Sequence, residues 1–134
     1  MSQASKKNHS YRILVVEDDS EMRSLLTDEL SAEGYEVVQA EDGAKAAVMV
    51  ARDHFDLVIT DVKMPKMGGI ALLPVVKEVR PAVPVIVITA FGEGHTRVEA
   101  YEKGAVDYLS KPFKMQDLKD AVSNALKRKG GGSQ

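Results

Sequence analysis

The 134-residue sequence predicts an α/β domain built on a parallel five-stranded sheet with helices on both faces. Three observations carry this. The β-branched runs at residues 13–16, 57–59 and 85–88 are continuously apolar, as strands buried on both faces are. Stretches with apolar residues at helical spacing separate them. The strand–helix alternation repeats five times, and right-handed crossovers then bring every strand's C-terminal end to one edge of the sheet. Ligands of such folds bind along that edge.

Composition sets the outer bounds. Hydrophobic residues make up 44% of the chain, enough for a core, and the net charge of -2 gives no basic field for nucleic acid. The absence of Cys excludes disulfides, thiolate zinc sites and cysteine nucleophiles. No apolar run approaches the ~20 residues of a membrane span, and the first eleven residues lack the apolar centre of a secretory signal. A cytoplasmic protein without membrane contact is expected.

In chain order, residues 1–10 read as a flexible polar tail and 11–128 as one domain. Residues 13–16 form the first strand, which stops at Glu17-Asp18-Asp19. Asp19 or Ser20 can cap a helix carrying Met22, Leu25, Leu26 and Leu30, closed by Gly34. A second strand covers 35–40, and Asp42 can cap an Ala-rich helix reaching 51. The third strand, 56–60, delivers Asp61. The helix after Gly69 runs to about residue 80 and contains Pro74, so irregularity is expected there. Residues 85–88 form the fourth strand and lead into Thr89-Ala90. A helix at 95–103 follows, and a short strand at 106–109 ends on Ser110-Lys111-Pro112. The last helix, 115–127, places Leu118, Val122 and Leu126 on one face. Residues 129–134 read as a flexible tail.

The strand ends therefore gather Glu17, Asp18, Asp61, Thr89 and Lys111 on one rim. Thr89 alone would pass for a β-branched strand residue, and Lys111 for a solvated surface lysine. As a set, three acids, a hydroxyl and an ammonium have complementary chemistry. Clustered carboxylates repel one another unless a cation intervenes. An oxygen-only acidic site suits Mg²⁺, for which Mn²⁺ could substitute. With metal bound, a carboxylate oxygen of Asp61 could attack phosphorus and give an aspartyl phosphate.

The motifs VVEDD (15–19), TDVKMPKMGG (60–69), VITA (87–90) and SKPF (110–113) together resemble the receiver domain of two-component response regulators. They occur in that family's order and spacing, and the likeness covers residues 11–128. The resemblance implies a flavodoxin-like (βα)5 fold with strand order 2-1-3-4-5 and Asp61 as phosphoacceptor. It implies metal ligation by Glu17, Asp18, Asp61 and the backbone carbonyl of Lys63, with Asp19 left as a helix cap. Thr89 would be the switch hydroxyl, Lys111 the phosphate-pairing lysine and Tyr108 the aromatic rotamer switch. A cis Lys111–Pro112 bond is also implied. Lys63 and Phe91 would flank the path of attacking water and set the lifetime of the phosphate. Gly68-Gly69 replaces the family's usual Asp-Gly, and turn flexibility would be preserved.

The implied function is phosphoryl acceptance from a sensor histidine kinase or a histidine phosphotransfer protein, in two-component or phosphorelay signalling. The fourth helix, last strand and fifth helix would signal to a downstream effector or fused output domain, and a phosphorylation-dependent dimer is compatible with this. The first helix near Met22 and residues 113–115 would dock the kinase. Direct nucleic acid binding by this segment is not expected. Turnover as an enzyme is not expected either: aspartate-nucleophile phosphatases need a second acid two residues on, where Lys63 stands. A flavin carrier on this fold would need a hydroxyl- and Gly-rich loop in place of EDDSEMR. The ITAFGE stretch and Lys63 are similar both to sporulation-relay single-domain regulators and to receivers of enhancer-binding transcription activators.

Overall fold

The computed structural model describes residues 11–62, 67–90 and 94–130. Five strands and five helices alternate: β1 (Arg12–Val16), α1 (Ser20–Ala32), β2 (Glu36–Ala40), α2 (Gly43–Arg52), β3 (Leu57–Asp61), α3 (Gly69–Val79), β4 (Val85–Thr89), α4 (Gly94–Glu102), β5 (Asp107–Ser110) and α5 (Met115–Gly130). The sheet is parallel throughout, in the order β2-β1-β3-β4-β5.

Each strand divides its residues between two cores, because alternate side chains leave opposite faces. Leu14, Val16, Val58, Val85 and Val87 pack with α2, α3 and Ala100 of α4. Ile13, Val15, Leu57, Ile59, Ile86 and Ile88 pack with Leu26 and Leu30 of α1 and with Leu118, Val122 and Leu126 of α5. β3 and β4 are buried along their whole length, which is why they read as unbroken apolar runs.

The caps follow sequence. Asp19 is the N-cap of α1 and accepts from the Glu21 amide, and Asp42 caps α2 by accepting from the Lys45 amide. The expected irregularity at Pro74 does not interrupt α3. Pro74 lies on the solvent face of the helix, where water can satisfy the carbonyl that its missing N–H leaves over. β3 runs one residue further than expected, so Asp61 is its last residue, and β5 is displaced by one to end at Ser110. α5 continues through Gly130, so residues 129 and 130, expected in the tail, are helical. The Lys111–Pro112 bond is cis, as expected.

Gly69 has a different reason from the expected turn flexibility. Gly68 has an ordinary φ of -81°. A Cβ on Gly69 would stand 2.4 Å from the Asp61 carbonyl oxygen, so no side chain fits between α3 and the end of β3. Gly69→Ala should therefore destabilise the domain by at least ~1–3 kcal/mol. Gly68→Asp, which supplies an N-cap for α3, should leave stability unchanged or raise it. Thermal melts of the two variants check this, and a Gly69→Ala melt equal to wild type would contradict it.

Candidate phosphoryl and metal site

The C-terminal edge of the sheet collects the site. Register aligns Val16 with Ala40 and Thr60, Asp61 with Ile88, and Thr89 with Ser110. The residues at or just beyond these ends are Glu17, Asp18, Asp61, Thr89 and Lys111. All five expected residues therefore share one rim. Thr89 is buried, and its carbonyl accepts from the Lys111 amide at 2.6 Å.

Lys111 joins two of the acids. Its ammonium donates to Asp61 Oδ2 at 2.7 Å and to Glu17 Oε1 at 2.9 Å. Both carboxylates are buried. Burial works against the charged form of Lys111, but the hydrogen bonds to Asp61 and Glu17 outweigh it and raise the lysine's pKa. Burial pushes the Glu17 carboxyl up to about 7; the Asp61 charge adds to this, while the Lys111 and Asp19 hydrogen bonds oppose it.

Glu17, Asp18 and Asp61 each bring a carboxylate oxygen within 4.8 Å of the others, and Asp18 is exposed. An all-oxygen donor set with one side open to water fits a hard divalent cation that keeps part of its hydration shell, as Mg²⁺ does. Asp19 is the α1 cap, as expected. Lys63 and Phe91 lie outside the described residues.

Several supporting residues escaped the sequence reading. Arg23 donates to the Glu17 carbonyl at 2.7 Å and to the Gln39 side chain at 3.1 Å, tying α1 to the ends of β1 and β2. The Thr60 hydroxyl donates to the Asp61 carbonyl at 3.0 Å. The Gly43 amide donates to the Met67 carbonyl at 3.1 Å, and a Cβ there would come within 2.1 Å of that oxygen. His54 is largely exposed and pairs with Asp56 at the opposite edge of the sheet.

The sequence matches the response regulator receiver domain over residues 13–123. The chain belongs to the response regulator receiver family. It is 42% identical over 114 residues to the transcriptional regulatory protein ZraR of Escherichia coli K12, covering 85% of this chain and 26% of that protein. The chain thus spans about a quarter of the length of this curated relative. Among solved structures, a CheY-like receiver domain protein from Methanospirillum hungatei JF-1 superposes with a TM-score of 0.88 at 29% identity, covering 91% of this chain and 98% of that one. TrrA of Thermotoga maritima, solved in complex with Mg²⁺ and BeF, gives a TM-score of 0.80 at 33% identity, covering 87% and 99%. Phosphoryl acceptance is the general function of this family. No helix among the described residues is long and apolar enough to cross a membrane.

The raised Glu17 pKa has a consequence for pH. The folded protein holds a proton on Glu17 that the unfolded chain, at 4.5, has already released. Without divalent metal this group lowers stability as pH rises from about 4.5 to 7. A cation must displace that proton, so stabilisation by Mg²⁺ should grow from pH 6 to pH 8. Melting temperatures in EDTA and in MgCl₂ across this range measure it. An Mg²⁺ effect independent of pH, or unchanged in Glu17→Gln, would contradict it.

Proposed function

We propose that this receiver takes a phosphoryl group from a histidine kinase or histidine phosphotransfer protein onto Asp61. The observation that carries the reading is Lys111 Nζ at 2.7 Å from Asp61 Oδ2 inside the three-acid cluster. That ammonium would pair with a phosphoryl oxygen once Asp61 is phosphorylated. The carboxylate attacks phosphorus, the phosphohistidine nitrogen leaves, and the phosphate so formed carries about -1.5 to -2 charges. Mg²⁺ held by Asp18, Asp61, Glu17 and the Lys63 carbonyl would offset the charge on the transferring group.

Thr89 supplies a hydroxyl to the new oxygens. Its inward movement and the position of Tyr108 would couple the site to the α4–β5–α5 surface. α1 near Met22 and residues 113–115 would form the kinase dock; Leu25 on α1 is 44% exposed. The likeness to ZraR, named a transcriptional regulatory protein and nearly four times as long as the aligned segment, supports a fused output domain. A free-standing regulator acting on a separate effector is the alternative. The encoding reading frame decides between them.

Incubation with radiolabelled phosphohistidine kinase or acetyl phosphate should label the wild type with an acid-stable, alkali-labile phosphate, dependent on Mg²⁺. Asp61→Ala should lose that label. Labelling that survives Asp61→Ala would overturn the assignment of the acceptor.

The phosphate should also be long-lived. Phe91 cannot orient a water molecule, and Lys63 supplies no second acid. Decay in Mg²⁺ buffer should take minutes or longer, and Phe91→Glu should shorten it. Wild-type decay within seconds would exclude shielding by Phe91.

A further inference from the structure

Tyr108 lies on the same sheet face as Thr89. β4 and β5 pair Val87 with Tyr108, and Thr89 is two residues beyond Val87, so the two side chains leave one face on neighbouring strands. The phenol ring is only 4% exposed and belongs to the core cluster that contains Ala100 of α4. Two further α4 residues close over it. The Arg97 guanidinium carbon stands 5.6 Å from the ring centroid. The Tyr101 ring lies 6.5 Å away, tilted by 41°. Arg97 and Tyr101 are four residues apart and so share one face of the helix.

We propose that Arg97 is a positioning residue for Tyr108: its guanidinium holds the ring in the buried position and ties that position to the placement of α4. The distance is within cation–π range, and Arg97 itself is exposed, so the cation stays hydrated while it meets a ring that is not. Aromatic contact with Tyr101 adds to the grip. For the ring to swing toward solvent it must leave both partners, or α4 must move with it. Arg97 then sets the resting balance between buried and exposed Tyr108, and with it how far α4 is already placed before any phosphoryl group arrives. The regulatory consequence rests on the switch role given to Tyr108 under the proposed function; the ring contact does not.

The test is NMR of protein labelled with ring-¹³C tyrosine, with a soluble paramagnetic agent reporting exposure. The chain has four tyrosines, and Tyr108→Phe assigns the resonance. Wild type, Arg97→Ala and Arg97→Lys are compared in Mg²⁺ buffer, first without a phosphodonor and then with beryllofluoride. Arg97→Ala should raise the exposed population of Tyr108 by about 2–5-fold, and Arg97→Lys should restore most of the buried population. An unchanged Tyr108 signal in Arg97→Ala overturns the proposal. So does Arg97→Lys behaving like Arg97→Ala, since the contact would then be packing alone. Radiolabelling of Asp61 in parallel samples without beryllofluoride separates the two readings. Absence of label in wild type would sink the phosphoacceptor assignment and leave the ring result standing.

Discussion

The ammonium of Lys111 stands between carboxylates from two different strands, Glu17 after β1 and Asp61 at the end of β3. Both acids are buried, and burying charge is costly unless it is paired. A polar edge of this kind holds together only if positive charge enters with it. Lys111 supplies one charge from β5, across the width of three strands. Burial, with the Asp61 charge adding to it, still holds the Glu17 pKa high, and Asp18 leaves one side of the cluster open to water. The site is thus poised between a proton, an ammonium and a divalent cation as partners for the same oxygens.

Much of this was legible in the sequence, for a physical reason. In a parallel sheet the strand ends share one edge, so acids that follow apolar runs fall together whatever their separation in the chain. Glu17, Asp18, Asp61, Thr89 and Lys111 each carry a distinctive functional group at such an end. The supporting residues carry no such mark. Arg23, Thr60 and Gly43 act on backbone carbonyls of Glu17, Asp61 and Met67, and a carbonyl has no signature in the sequence. Gly69 showed the same limit: its place next to Asp61 was visible, but the close approach to the Asp61 carbonyl needed the packing of α3. Arg97 likewise carries no mark in the sequence, and only the packing of α4 sets its guanidinium over the Tyr108 ring.

The anchoring of the Asp61 segment is also asymmetric. The Val62 amide donates to Ile88 in β4, and the Val62 carbonyl accepts from Gly69 in α3. Met67 is held by the first turn of α2. Three different elements therefore fix the chain on either side of residues 63–66. Asp61 thus stands on a segment tied to the rest of the domain on both sides.

Among the described residues the two cores have no side chain in common. One lies beneath α2, α3 and α4; the other lies beneath α1 and α5. The sheet runs between them. A substitution that repacks one core meets no neighbour from the other, so each can accumulate changes on its own account. A lineage of such domains could alter the surface over α1 and α5 while the packing around Tyr108 and α4 stayed fixed, or the reverse. The alternation of side chains along five short strands thus gives a single small domain two separately variable faces.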